Sequence, residues 1–278
     1  MKKLYKIWFG VFCLIAILVF TPNLFALNFQ IDKGKVRVSL PPGWSDGGII
    51  TIDNRDDKPL KVRAYISDWD YSDSDGAKVF LSANTTPKSC ADWIKFYPAD
   101  FTVPAFEKQK INFVVEVPKD AVGGHYAVLF FEVQTGVIYD EAKGTNVKIY
   151  NRLGTLFYIE PEGTIDRNGA LSDFKIDALS GAVKARVMFQ NTGNVDITAR
   201  GTFDIINEEG FVFLRGKFKD AYTMPEDVVS LSASSTGEIL PKGIYDVIVT
   251  FDLGGTSLVG EWQIEIDDLG EIVSVKKL

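Results

Sequence analysis

Ile50-Thr-Ile-Asp-Asn54-Arg-Asp-Asp-Lys58-Pro-Leu60-Lys-Val-Arg63 and Val187-Met-Phe-Gln-Asn191-Thr-Gly-Asn-Val195-Asp-Ile-Thr-Ala-Arg200 follow one pattern. In each, an alternating apolar and polar run ends on an asparagine, a turn-forming stretch follows, and a second run begins. An asparagine side chain can bond its own backbone two residues on, which makes it a turn-former between strands. Further along each copy a Pro-Lys turn leads into a Gly-x-Tyr strand: Val117-Pro118 to Gly124-His-Tyr126, and Leu240-Pro241-Lys-Gly243-Ile-Tyr245. A pattern of this length, repeated with strand periodicity, predicts two β-sandwich domains in tandem.

The rest of the chain agrees on class. Val36-Arg-Val-Ser-Leu40, Gly48-Ile-Ile-Thr-Ile52, Lys110-Ile-Asn-Phe-Val-Val-Glu-Val117 and Lys184-Ala-Arg-Val-Met-Phe189 alternate with period two, and no stretch holds helical periodicity over several turns. The expected class is all-β. The densest turn-forming cluster between the copies is Pro161-Glu-Gly163-Thr-Ile-Asp-Arg-Asn168-Gly169. The expected organisation is therefore a signal peptide over residues 1–26 and sandwiches over 27–162 and 163–278. The strand from Asn146 to Ile159 closes the first sandwich and runs directly into a short linker that restricts rotation.

The signal reading rests on Lys2, Lys3 and Lys6, then an apolar run from Trp8 to Phe20, then Thr21-Pro22-Asn23 and Ala26. The rival reading is an uncleaved anchor, which the shortness of the apolar run disfavours. Cleavage after Ala26 takes three of the 30 lysines and arginines and none of the 37 acids, so the formal charge moves from −7 to −10. An acidic surface argues against nucleic acid and anionic membranes as partners. Export to a bacterial periplasm or cell surface is the expectation.

Cys13 leaves with the signal, so Cys90 stands alone in the mature chain and no internal disulfide is possible. A buried, inert thiol beside Trp93 is preferred to a bridge with a partner. His125 is the single histidine, which removes any His-based triad or multi-His metal site. Asp68, Asp70, Asp73, Asp75 and Gly76 suggest a calcium loop, but the EF-hand register puts Tyr71 first and Ser82 last, so the motif fails. No cofactor, no metal and no enzymatic activity are expected.

The two copies differ in length. From Asn54 to Tyr126 is 72 positions and from Asn191 to Tyr245 is 54, which places 18 additional residues in the first copy, within Asp68 to Pro98. Additions to a rigid sandwich often carry its function. Trp69, Asp70, Tyr71, Trp93, Phe96 and Tyr97 fall here, and flat aromatics on a sandwich face stack on sugar rings. A carbohydrate- or envelope-binding module is thus one alternative, set against core packing of the same residues. Tyr126 and Tyr245 read as structural tyrosines, each pinning a corner through its hydroxyl.

Residues 36 to about 163 resemble the immunoglobulin-like domain of periplasmic chaperone-like (PapD-like) proteins and bacterial cell-surface adaptors. The resemblance lies in Leu40-Pro-Pro-Gly43, Asn54 to Val62, Asp68-Trp69 with Asp75-Gly76, Trp93-Ile94 with Pro98, and Val117 to Tyr126. Val147-Lys-Ile-Tyr-Asn-Arg152 resembles the strand that ends the first domain of pilus chaperones. The second half resembles generic bacterial immunoglobulin-like domains. The resemblance implies a noncatalytic protein-binding module, a chaperone or assembly adaptor, whose partner is another exported protein. In pilus chaperones that last strand completes a client's sheet, and basic residues between the domains hold the client's terminal carboxylate. By position Lys148 matches one of these, and Arg37 is the candidate for the other. Val147, Ile149 and Leu153 share parity and present apolar side chains, while Lys148, Tyr150 and Arg152 point the other way. The open alternative is a strand already paired along both edges.

Overall fold

The computed structural model describes residues 29–140, 143–179, 182–236 and 240–278; the signal segment and Cys13 lie outside the described residues. The chain is all-β. The first half supplies β1 (Phe29–Ile31), β2 (Lys35–Leu40), β3 (Ser45–Asn54), β4 (Leu60–Tyr71), β5 (Lys78–Leu81), β6 (Ile94–Tyr97), β7 (Asp100–Val103), β8 (Lys108–Glu116), β9 (His125–Asp140) and β10 (Thr145–Pro161). These strands form two facing sheets, ordered β1-β3-β8-β6 and β2-β10-β9-β4-β5, with β7 pairing β4. The added segment of the first copy supplies β5, a single 3-10 turn at Ala91–Trp93 and β6, which extends the first sheet past β8.

The second half supplies β11 (Gly169–Leu179), β12 (Ala182–Asn191), β13 (Ile197–Asn207), β14 (Val212–Phe218), β15 (Ala221–Thr223), β16 (Val228–Thr236), β17 (Gly243–Asp252), β18 (Ser257–Ile266) and β19 (Ile272–Lys277). Its two sides are joined along β14, which pairs β13 through most of its length and β16 only at Lys217 and Phe218. The result is a sandwich folded from one sheet, ordered β11-β12-β16-β14-β13-β17-β18-β19. Among the described residues no sheet runs through both halves; the chain crosses between them after Pro161 and before Gly169.

Period-two alternation builds both cores. Along β8, Ile111, Phe113 and Val115 turn inward while Lys110, Asn112 and Val114 turn out; β12 does the same with Val183, Ala185, Val187 and Phe189. Strand β9 departs from this rule, because both of its faces are covered. Ala127, Leu129, Phe131 and Val133 enter the core between the sheets. Tyr126, Val128 and Phe130 form a second apolar cluster with Trp69, Tyr158 and Met224, the last supplied by the other domain. A strand buried on both sides reads as a continuous apolar run, as Tyr126 to Phe131 does.

The repeated asparagines do the same work twice. Asn54 donates through Nδ2 to the carbonyl of Lys58 and accepts through Oδ1 from the Asp56 amide. Asn191 donates to the carbonyl of Val195 and accepts from the Gly193 amide, so both spacings are conserved within the chain. Asn54 also reaches the carbonyls of Val103 and Pro104, while Asn191 reaches Thr223 Oγ1. Both side chains are fully buried. Each Asn→Ala substitution strands several buried backbone groups, at about 1–3 kcal/mol per group left unpaired. Asn54→Ala and Asn191→Ala are expected each to lower the denaturant midpoint of its own domain and leave the other's unchanged, read from tryptophan and amide signals assigned to each half.

Candidate partner-binding edge and the interdomain junction

Strand β10 is longer than its neighbours can cover. It pairs with β9 from Thr145 to Ile159, but β2 runs beside its other edge only from Leu156 to Pro161. The turn before β2 closes the gap at its near end, where Thr155 Oγ1 donates to the Lys33 carbonyl and the Leu156 amide to that of Gly34. From Thr145 to Gly154 no strand among the described residues lies on that edge. Strand β4 likewise leaves β9 at Val133, so the distal parts of β9 and β10 project as a two-stranded ribbon. A bulge opposite Ile149–Tyr150 leaves Thr135 out of register and twists the ribbon.

On this strand Val147, Ile149 and Leu153 share the face that carries Phe157 and Ile159 into the core. Leu153 packs against that core, whereas Val147 and Ile149 are 44% and 37% exposed beyond its end. Arg152 is on the opposite face, its guanidinium 4.4 Å from the Phe130 ring centroid and 5.4 Å from that of Phe80. Lys148 is exposed on that face as well. It does not reach the space between the domains: ten residues of strand, roughly 33 Å, separate it from Tyr158. Position in the strand suggested a cleft residue; the length of the strand rules that out.

Arg37 is at the junction. Its guanidinium pairs with Glu160 and with Asp196 of the second domain at 3.2 Å, and lies over the Tyr158 ring. Arg167 holds the other oxygen of Glu160 at 2.6 Å. The Tyr126 hydroxyl accepts from the Asp196 amide at 2.6 Å and donates to its carboxylate at 3.3 Å. Tyr126 is therefore not a corner residue of its own domain, unlike Tyr245, whose hydroxyl donates to the Pro241 carbonyl four residues back. Gly124 explains the difference. Its amide donates to the Asn194 carbonyl, and a Cβ there would crowd both the Tyr126 hydroxyl and, at 2.8 Å, Val195 Cγ2, so glycine leaves the room in which the tyrosine and the second domain meet. Burial, together with the neighbouring Asp196 charge, drives the Tyr126 phenol far above its ordinary pKa.

Lys35 lies beside Arg37, its ammonium 3.8 Å from the Tyr158 ring centroid. Burial lowers its pKa, and Arg37 and Lys78 add to the effect against the pull of Asp196. Lys35 pairs across the ladder with Leu156, so it stands where the open edge of β10 ends.

The aromatics of the added segment do not form one exposed face. Trp69 is 1% exposed and donates through Nε1 to the Ala127 carbonyl. Tyr71 packs against Tyr222 of the second domain, and Asp70 beside it has its carboxyl pushed up by burial. Trp93 lies tilted against His125 with ring centroids 4.2 Å apart, Phe96 packs on the core, and of the six residues of the alternative surface Tyr97 alone is open, at 75%. Alternation gave the parity of these residues but not the second domain that covers them.

The acids of the same segment diverge. Burial raises the Asp68 carboxyl, but hydrogen bonds from Ser89 and from the Thr86, Thr85 and Asn84 amides outweigh it and hold its pKa below the ordinary value. Its contribution to stability is present above the unfolded value of about 3.9 and lost as pH falls through the lower folded one. Asp73 caps its own turn and Asp75 pairs with Lys219 of the second domain. Cys90 is fully buried and its thiol is driven up by burial.

No family model and no curated protein matches the chain. Among solved structures it is similar over most of its length to fimbrial and periplasmic chaperones. It is 12% identical to the class 5 fimbriae chaperone CfaA (TM-score 0.48; 84% of this chain and 98% of that one). It is 13% identical to the YadV chaperone (TM-score 0.43; 91% and 100%). It is 15% identical to the E. coli chaperone DraB (TM-score 0.39; 84% and 96%).

The junction makes a testable demand. Tyr126→Phe leaves the buried Asp196 amide without its acceptor, at about 1–3 kcal/mol, and frees the domains to move. Proteolysis between residues 162 and 168 is expected to accelerate several-fold in this variant, whereas Tyr245→Phe leaves that rate unchanged.

Proposed function

We propose that the chain is an exported, noncatalytic protein-binding module, chaperone-like or an assembly adaptor, that takes a client strand on the open edge of β10. The observation that carries this reading is the run from Thr145 to Gly154, paired on one side only and flanked by exposed Val147 and Ile149. An edge of this kind offers ladder hydrogen bonds for affinity and alternate apolar side chains for register. A natural monomer ordinarily blunts such an edge; here only the face away from the core, with Lys148 and Arg152, is charged.

Geometry also gives the client a direction. The open edge continues the line of β2, which runs parallel to β10. A client strand lying in that line and running the same way ends at Lys35, where a terminal carboxylate would meet an ammonium that has no ion pair among the described residues. Arg37 serves as a strut between the domains, since Glu160 and Asp196 already occupy it. The expected client is another exported or envelope protein, and the expected place is the periplasm or the cell surface.

Ile149→Asp charges the apolar row without deleting an amide, and Lys35→Ala removes the ammonium at the end of the edge. With a partner crosslinked from the native envelope and then purified, each is expected to weaken binding at least tenfold while melting within a few degrees of the parent. Lys148→Ala is expected to leave affinity within about twofold. Parental affinity in a folded Ile149→Asp protein would remove this edge as the binding site.

A further inference from the structure

The outer face of the second domain carries a cationic groove that the strand-addition reading does not use. The groove has a volume of about 640 Å³ and crosses β11, β12, β16 and β14. One rung of the sheet sets Lys175 opposite Arg186 and Arg186 opposite Ser232, whose carbonyl accepts from the amide of Lys219. The next sets Asp177 opposite Lys184, Lys184 opposite Ser234, and Ser234 opposite Lys217. Five cations thus line the groove with two carboxylates, Asp177 and Asp220, and one of the five, Lys219, also reaches Asp75 of the first domain, in a chain of net charge −7.

Two features point to a ligand. Lys175 and Arg186 are directly opposite one another, an arrangement of like charges that destabilises a sheet, and neither has an ion pair among the described residues to relieve it. Asp220 is already taken by Arg200 at 3.1 Å and by Lys217 at 3.6 Å. An anion seated between Lys175 and Arg186 removes that repulsion. The second feature is what separates the cations: the hydroxyls of Ser232 and Ser234, with Phe218, Ala185 and Ala233 turned into the core. Protein partners are ordinarily gripped by exposed aromatic or aliphatic anchors, and peripheral membrane sites add such anchors to their basic residues. This groove exposes none.

We infer that the groove binds an anionic polysaccharide, a linear sugar chain bearing carboxylate or phosphate groups. Four strands at ~4.8 Å span about 14 Å, and same-face residues along a strand stand roughly 6.7 Å apart, so a short stretch of chain with negative groups at intervals of several ångströms meets successive cations. The serine hydroxyls both donate and accept, as sugar hydroxyls require. Binding releases counterions and weakens with salt. The inference is independent of the β10 edge.

The test uses the full exported chain and a fluorescent decagalacturonate, followed by anisotropy at 50 and 300 mM salt. The expected result is saturable binding at low salt that weakens at least tenfold at high salt. A Lys184→Gln, Arg186→Gln double variant should weaken low-salt binding at least tenfold. A Lys110→Gln, Lys119→Gln variant, with the same change in charge on the first domain, should stay within twofold of the parent. Without ligand the groove variant should melt no lower than the parent, because the Lys175 repulsion is gone. If it melts lower, amide shift mapping on the parent decides, and shifts must centre on Lys184, Arg186 and Ser232. The inference is overturned by no binding at 50 mM, by equal losses in both variants, or by shifts centred elsewhere. It is equally overturned if polyglutamate of matched charge or phosphatidylglycerol vesicles bind as tightly as the sugar chain.

Discussion

A strand inside a sheet is laddered along both edges, and β10 has its second partner only over its last six residues, Leu156 to Pro161. This single shortfall organises the first domain. Where β2 is present, β10 is buried and its residues lead into the junction with the second domain. Where β2 is missing, the same strand stands open beside solvent with its apolar parity intact. One element therefore joins the domains at one end and offers an unfilled template at the other. Lys35 marks the point at which the two regimes meet.

The other end depends on a junction that is apolar at its centre and charged at its rim. Trp69, Tyr126, Tyr158 and Met224 pack together while Arg37 and Arg167 share Glu160 and Arg37 reaches Asp196. The Tyr126 hydroxyl both gives and takes a hydrogen bond at Asp196, which fixes the donor and acceptor roles and hence the orientation of the ring. Removing Arg37 would leave the poorly exposed Asp196 carboxylate without its cation and Glu160 with Arg167 alone, a larger loss than that of a surface pair. A rigid junction keeps the open edge at a constant angle to the second domain, which any strand-long client must also clear.

Much of this was legible in the amino-acid sequence, and the reason is period. Alternation placed Val147, Ile149 and Leu153 on one face, and the paired Asn54 and Asn191 phrases announced two copies with the same turn chemistry. Alternation says nothing of what covers a face. Core packing was the preferred reading of Trp69, but the partner that covers Tyr71 was not legible, because the domain that supplies it begins about a hundred residues later. Tyr126 and Tyr245 sit in matching phrases yet differ in role, since Gly124 admits the second domain and Gly243 meets no such neighbour. Lys148 was placed in the cleft by analogy of position, and a 17-residue strand carries it away. The groove of the second domain left no motif at all: its cations come from β11, β12 and the β14 region, and only the ladder brings them together.

The central claim is that one edge of β10 is open in the free protein. Amide-resolved hydrogen exchange by NMR on the unliganded chain measures this directly. The account predicts alternating protection from Val147 to Leu153, with amides facing β9 slow and those between them exchanging near the rate of an unstructured peptide, and continuous protection resuming at Leu156. Uniform protection of every amide from Val147 to Leu153 would mean that another segment or a second copy already covers the edge, and would contradict it.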